Sequence, residues 1–128
     1  MNVLKFGGSS LANAERFARV VSIVNAANND KSIAVVVSAP QGITNKLVAL
    51  TDRIKTDGSD AQLADIKQHL AGILADTYQQ FTGIDQAATD EAFEDLMARL
   101  SRLVQGAQLL GHCPDQTYAQ IVSSGERF

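Results

Sequence analysis

Short apolar runs and longer segments with helical spacing follow one another along the chain. The first apolar run, Asn2–Phe6, is interrupted only by Lys5, and residues 32–37 form a β-branched run without polar alternation. Runs of this kind are typical of parallel strands that are covered on both faces. Between them, one helical stripe is formed by Phe17, Val20, Val21 and Val24. Strand, helix and strand in this order predict a right-handed crossover, so both strands end at the same edge of the sheet.

The second half of the chain has helical spacing throughout. Ser59 and Gln62 have the pattern of a capping box that starts a helix, whose apolar face comprises Leu63, Ile66, Leu70, Ile73, Leu74 and Phe81. After a turn at Thr82-Gly83, a second apolar face comprises Phe93, Leu96, Met97, Leu100, Val104 and Ala107. Gly111 ends this helix, and Pro114 fits the first turn of a last helix that runs toward Ser123. The pattern predicts an α/β fold with a helix-rich second half, in one unit over residues 1–128.

The residues after the first strand favour phosphate binding. Lys5 supplies a cation, and Gly7 and Gly8 allow a sharp turn in which backbone N–H groups point outward. A helix that begins shortly afterwards adds the positive end of its dipole. The spacing matches neither common glycine-rich nucleotide motif. From spacing alone, a plain strand-to-helix turn with a lysine that reaches solvent is an equally good interpretation.

A second loop at the same edge strengthens the phosphate interpretation. Ser38 closes the second strand, Pro40 and Gly42 shape the loop, and Thr44 or Asn45 can cap the next helix. Because both loops open on one edge of the sheet, we expect that edge to collect Lys5, Gly7, Gly8, Ser9, Ser38 and Thr44.

Three segments of the chain resemble the N-terminal signatures of aspartokinases, which are members of the amino-acid kinase fold. These segments are residues 5–10, residues 37–45 and residues 124–126, in the order found in that family. Residues 13–17 and 109–115 resemble more narrowly the threonine-sensitive bifunctional aspartokinase–homoserine dehydrogenases. The resemblance implies the N-terminal part of an amino-acid kinase fold, with parallel strands, crossover helices, a helix-rich insertion and an incomplete sheet.

The resemblance also implies roles for individual residues. It assigns the phosphates of ATP to Lys5, Gly7, Gly8 and Ser9, with Lys5 as the catalytic cation. It assigns the substrate aspartate to Ser38 and Thr44, and the α-ammonium of aspartate to Glu126. The implied reaction is the ATP-dependent phosphorylation of L-aspartate to 4-phospho-L-aspartate, with Mg²⁺ accompanying ATP. This reaction is the first step of the branch of amino-acid biosynthesis that leads to threonine, methionine and lysine.

Catalytic domains of this family are about twice as long as this chain, so the resemblance implies a truncated domain. A homoserine dehydrogenase that uses NADP(H) is then expected elsewhere in the parent protein. We expect a homo-oligomeric parent enzyme, and we expect the 128-residue chain to be inactive by itself. One mild departure from the family is Ser9, where many relatives have threonine.

Composition and charge exclude several other classes of function. The chain is 45% hydrophobic and 20% charged, which is typical of one domain with a core. Its net charge is −3, and no basic stripe with interleaved aromatic residues is present, which argues against nucleic acid as a partner. Neither a secretory signal nor an apolar run of membrane-spanning length is present. The sequence therefore predicts a cytoplasmic protein that does not enter a membrane.

Other reactive side chains have plainer interpretations. The single cysteine, Cys113, follows His112, but no orienting partner is evident, so a loop cysteine is favoured over a nucleophile. The acidic pairs Asp90-Glu91 and Glu94-Asp95 are expected in the first turn of a helix rather than around a metal. His69 has polar neighbours and is expected at the surface. No metal site is predicted.

Two other classes of function stay open at this stage. A nucleotide- or phosphate-binding protein, including another phosphotransferase with the amino-acid kinase fold, would share the Lys-Gly-Gly segment. It would not need Ser38, Thr44 and Glu126 together. A helical interaction module would account for the amphipathic second half, but it leaves Lys5 unexplained.

Overall fold

The computed structural model describes residues 1–29 and 31–128. Its first part consists of strand β1 (Asn2–Phe6), a short 3-10 helix (Gly8–Leu11), helix α1 (Ala14–Ala27) and strand β2 (Ile33–Val37). Its second part consists of helices α2 (Ile43–Asp52), α3 (Ser59–Gln80), α4 (Gln86–Leu110), α5 (Asp115–Val122) and α6 (Ser124–Arg127). The predicted α/β architecture with a helix-rich second half is confirmed.

The two strands pair in parallel, as predicted. Their register runs from Asn2 opposite Ile33 to Phe6 opposite Val37. The ladder continues one residue further, because the N–H of Ser38 donates to the carbonyl of Phe6 at 3.1 Å. Within the described residues the sheet has two strands, which agrees with the prediction of an incomplete sheet.

The prediction that both strands are covered on both faces is wrong for these residues. Leu4 and Phe6 pack against Val20 of α1 and the residues around it, whereas the side chains of Val35, Val36 and Val37 are 43–46% exposed. Lys5, which was also expected on a buried strand, is exposed. The physical reason is that a single crossover helix can cover only one face of the sheet, and α1 covers mainly β1.

The main core lies between the helices of the second half. The stripes predicted from spacing on α3 and α4 supply much of it, and α2 and α5 supply the rest. Its most deeply buried members are Ile43, Leu47, Leu50, Ile66, Leu100, Val104 and Ile121. The predicted assignment of these apolar faces to the protein interior is confirmed.

The predicted start of α3 is wrong in its mechanism. Ser59 begins the helix but does not cap it, because it is buried and its hydroxyl accepts a hydrogen bond from the side chain of Gln108. The helix ends before Phe81, whose backbone is extended. Gln108 of α4 therefore binds the Ser59 hydroxyl that the sequence pattern had assigned to capping the N-terminus of α3.

Helix α4 also begins earlier than the acidic pairs suggested. Its N-cap is Asp85, whose carboxylate accepts from the N–H of Ala88 at 3.0 Å. The acidic pairs Asp90-Glu91 and Glu94-Asp95 thus lie in later turns, and the first-turn prediction is wrong, although all of them are exposed as expected. The predicted end at Gly111 is confirmed, with a left-handed φ of 74°.

Candidate active site

The glycine-rich loop after β1 lies directly against the loop after β2. A Cβ atom at Gly8 would lie 3.0 Å from the carbonyl oxygen of Ala39 and 3.5 Å from the Cα of Gln41. Both neighbours are backbone atoms, so they cannot move aside as the end of a side chain can. Gly8 is therefore required for the close packing of the two loops.

Gly7 is a glycine for a different reason. Its φ of −82° and ψ of 175° are open to any residue, and a Cβ atom there would meet nothing within 4 Å. Neither backbone strain nor packing within the described chain requires glycine at this exposed position. The missing side chain leaves the backbone of Gly7 accessible to close approach.

A third segment closes on the same loop from the other side. A Cβ atom at Gly125 in α6 would lie 2.8 Å from the Cβ of Ala39 and 3.0 Å from the Cγ2 of Ile43. Ala39 thus lies between Gly8 and Gly125. This contact brings together three segments that are far apart in the sequence. Pattern and spacing gave no signal for it, because it depends on the packing of α6 on α2, and only the resemblance to aspartokinases pointed to residues 124–126.

The residues proposed for chemistry belong to the segments near this junction. Lys5 is exposed on the sheet face opposite α1 and lies next to Val36 in the strand register. Ser38 is half-buried just after β2, and Thr44 is half-buried in the first turn of α2. Glu126 is exposed on α6. The structure places Ser38, Thr44 and Glu126 on the segments that meet at Ala39 and Lys5 on the strand that precedes Gly8, while their individual roles stay predictions.

The turn into α2 differs from its predicted form. Thr44 and Asn45 were predicted as possible caps, but the N-cap is Gly42, which has a left-handed φ of 85° and makes no side-chain capping bond. The prediction of a Thr44 or Asn45 cap is therefore wrong. Because Thr44 lies inside the helix, its hydroxyl is not engaged in capping.

Cys113 has the properties of a structural cysteine. Burial, and then the nearby Asp115 carboxylate, raise the pKa of the Cys113 thiol, which reduces the thiolate that a nucleophile needs. The Nδ1 atom of His112 lies 3.3 Å from the carbonyl oxygen of Leu110. The interpretation as a loop cysteine is therefore favoured further.

Two acidic residues of α4 contact side chains of α3. Asp90 accepts a hydrogen bond from the hydroxyl of Tyr78 at 2.6 Å, and Glu94 pairs with Lys67 at 3.0 Å.

Among residues 1–29 and 31–128, no group of three or more His, Cys, Asp or Glu side chains could hold a metal ion. In the same residues, no helix is long and apolar enough to cross a membrane.

The class of protein follows from a match to a known family. Residues 1–126 match the amino acid kinase family, and the chain belongs to that family.

Within this class, the chain is similar to aspartokinases. It is 36% identical over 130 residues to the bifunctional aspartokinase/homoserine dehydrogenase of Buchnera aphidicola, a match that covers 98% of this chain and 16% of the relative. It is 30% identical over 128 residues to the Haemophilus influenzae protein of the same name, a match that covers 99% of this chain and 16% of the relative. The chain thus spans 16% of the length of these curated relatives.

Solved structures give the same result. Escherichia coli aspartokinase III in complex with lysine and aspartate (T-state) superposes with a TM-score of 0.77 at 28% identity, over 98% of this chain and 26% of that one. The same enzyme in complex with aspartate and ADP (R-state) superposes with a TM-score of 0.75 at 28% identity, over the same shares of the two chains. The predicted resemblance to aspartokinases is confirmed.

Proposed function

We propose that this chain is the N-terminal part of an aspartate kinase that phosphorylates L-aspartate with ATP. The observation that carries the proposal is the meeting of three segments at Ala39, with Gly8 on one side and Gly125 on the other. The segments that meet there include the glycine-rich loop, the hydroxyls of Ser38 and Thr44 and the carboxylate of Glu126, and Lys5 precedes the glycine-rich loop on β1. Phosphoryl transfer needs such an arrangement, because it depends mostly on positioning and charge neutralisation.

On the ATP side, Lys5 and the glycine loop are proposed to hold the phosphates. The exposed ammonium of Lys5 can neutralise charge that develops on the transferred phosphoryl oxygens. Gly7 lets the β- and γ-phosphates approach the backbone, since no side chain stands in the way. Ser9 adds a hydroxyl donor. Mg²⁺ that accompanies ATP is proposed to share this neutralising role.

On the aspartate side, the proposed contacts match the charges of the substrate. Glu126 is proposed to bind the α-ammonium of aspartate. Ser38 and Thr44 are proposed to donate hydrogen bonds to the carboxylates of aspartate. In the reaction, an oxygen of the substrate's β-carboxylate forms a bond to the γ-phosphorus. The bond between that phosphorus and the bridging β–γ oxygen breaks, and ADP leaves with the electron pair.

The finer parts of the proposal concern the parent protein. Similarity to bifunctional relatives supports a parent chain that also carries a homoserine dehydrogenase. We propose that this part uses NADP(H) and that the parent protein acts in threonine biosynthesis. We propose a cytoplasmic homo-oligomer. The 128-residue chain is proposed to be inactive without the rest of a kinase domain.

The test is Lys5→Met in a chain that carries the complete kinase domain. We expect turnover to fall by a factor of about one hundred or more, because the transition state loses its cation. Release of ADP that depends on aspartate, followed in a coupled assay, is the measurement. The matched control is Lys55→Met, which removes an exposed lysine from the connection between α2 and α3 and should leave turnover unchanged.

Two outcomes would contradict the proposal. Turnover of the Lys5→Met protein within a few-fold of the unmodified protein would remove Lys5 from the site. Release of ADP that requires a different acceptor instead of aspartate would favour another phosphotransferase of the same family.

A further inference from the structure

A second cleft lies away from the proposed ATP loop, between α3, α4 and the segment after Glu126. Its volume is about 530 Å³, which is within the range of pockets that bind small molecules. Leu74, Phe93, Leu96 and Phe128 form its apolar lining. The rings of Phe93 and Phe128 meet edge to face, with centroids 6.0 Å apart and planes at 75°. The apolar lining is thus held in place by a specific aromatic contact.

The rim of this cleft carries two guanidinium groups from different elements. Arg99 comes from α4 and Arg127 from α6, and both are exposed. In the described part of the chain, the ion pairs are Lys46 with Asp65 and Lys67 with Glu94, so neither arginine is paired within 4.0 Å. Asp95 lines the cleft as well, one helical turn before Arg99. These three side chains leave the rim with a net positive charge.

We propose that this cleft binds a small organic carboxylate with an aromatic or branched apolar body. Two guanidinium groups on the rim suit a carboxylate, which an arginine can bind through paired hydrogen bonds. The apolar lining suits the body of the ligand and disfavours a free phosphate, which is polar on every side. Nothing in this assignment depends on the proposed kinase reaction, because Lys5, Ser38 and Thr44 do not line the cleft.

The test is a titration of a ¹⁵N-labelled chain that carries the complete kinase domain with 3-phenylpropionate, followed by amide chemical shifts. We expect saturable shifts confined to residues around Phe93, Leu96, Arg99 and Phe128, with a dissociation constant in the millimolar range for a ligand of this size. The neutral analogue 3-phenylpropan-1-ol has the same ring and should bind at least about tenfold more weakly, because it cannot pair with the arginines.

Variants separate the guanidinium contacts from general surface charge. The double variant Arg99→Gln with Arg127→Gln should weaken 3-phenylpropionate at least about tenfold. The matched control is Arg102→Gln, an exposed arginine of α4 outside the cleft, and it should leave binding unchanged. Retention of the native amide spectrum shows that each variant is folded.

Three results would overturn the assignment. The first is the absence of saturable shifts in the unmodified chain. The second is equal weakening by the Arg102→Gln control, and the third is equal binding of the alcohol and the carboxylate.

Discussion

At the scale of single residues, three glycines at the carboxyl edge of the sheet have three different physical roles. Gly7 leaves open space, whereas Gly8 allows a backbone carbonyl to approach and Gly125 allows a tight contact between α6 and α2. The sequence marks all of them as glycine and cannot separate these roles, because each role depends on what the fold places opposite the missing side chain.

Gly125→Ala should destabilise the fold. The added Cβ would lie 2.8 Å from the Cβ of Ala39, so α6 or the loop after β2 must shift. Overpacking of this kind costs about 1–3 kcal/mol, which urea unfolding can measure. The matched control is Gly72→Ala on α3, where a Cβ meets nothing within 4 Å and helix propensity should add about 0.5–1 kcal/mol of stability. Equal stabilities of the two variants would contradict the packing at Ala39.

Glu126→Gln should discriminate between the two proposed substrates. In a chain with the complete kinase domain, only aspartate loses a charge-assisted hydrogen bond, so its KM should rise at least about tenfold while that of ATP stays within a few-fold. Initial rates at varied aspartate and varied ATP give both values. Glu91→Gln on the exposed face of α4 is the control. Equal weakening of both substrates would indicate a structural role for Glu126.

Ser38→Ala and Thr44→Val should weaken aspartate in the same direction as Glu126→Gln. Each removes one hydroxyl hydrogen bond to a charged group, which is worth about 1.5–3 kcal/mol. The same initial-rate measurements apply. A KM for aspartate that is unchanged in both variants would remove these hydroxyls from the substrate site.

At the scale of elements, α3 and α4 are tied together near the turn that joins them. The hydroxyl of Tyr78 donates to Asp90, and burial followed by this hydrogen bond raises the pKa of Tyr78 to about 12 from an ordinary value of 10.0. The folded state thus favours the neutral phenol. The contribution of the protonated Tyr78 to the free energy of unfolding is therefore complete below pH 10 and is lost as the pH rises toward 12.

Tyr78→Phe should therefore remove part of the alkaline loss of stability. The free energy of unfolding of the unmodified chain should fall between pH 10 and pH 12, and that of the variant should fall less over the same interval. Urea unfolding at several pH values measures the difference. Tyr118→Phe on α5 is the control, because Tyr118 is exposed. The same pH dependence in all three proteins would contradict a stabilising hydrogen bond between Tyr78 and Asp90.

Helix faces could be predicted from the sequence far better than helix ends. The stripe from Phe93 to Ala107 is buried as spacing predicts, because one apolar face has one place to pack. Ser59 was assigned to a cap, but tertiary packing instead places its hydroxyl against Gln108. The hydrogen-bond partner of a polar side chain depends on which residues the fold brings near it. Spacing along the sequence does not predict those neighbours.

The candidate site also has parts that the sequence predicts and parts that it does not. The loops after β1 and β2 could be brought together from topology alone, since parallel strands end at one edge. The approach of α6 required knowledge of helix packing, and only the resemblance to aspartokinases pointed to Glu126. Arg99 and Arg127 were missed, because residues 28 positions apart have no common periodicity that would indicate one cleft.

At the scale of the whole molecule, the two halves differ in how fully they are packed. The helical half has a continuous core that includes residues of α2, α3, α4 and α5. The sheet has two strands in the described residues, and one face of it is open. Two strands with open edges are a template for pairing with another chain. The molecule therefore joins a well-packed helical body to a sheet that exposes apolar surface.

The 128-residue chain by itself should associate through this sheet, bind ATP poorly and show no release of ADP that depends on aspartate. Val35, Val36 and Val37 are 43–46% exposed next to unpaired strand edges, so contact with a second copy removes apolar area from water. Sedimentation velocity over a range of concentrations measures the association, and a coupled assay measures the ADP.

Val36→Glu should shift the chain toward monomer, because it introduces a charge into the open face of the sheet, which Val36 shares with Lys5. The added carboxylate would lie next to Lys5 in the register, so it should be tolerated within the folded chain. Leu109→Glu is the control, since Leu109 is 90% exposed at the end of α4, away from the sheet. Equal loss of association in both variants would show that general apolar exposure drives it. An unmodified chain that stays monomeric would contradict association through the sheet. An unmodified chain that is active would contradict the prediction that activity requires the rest of a kinase domain.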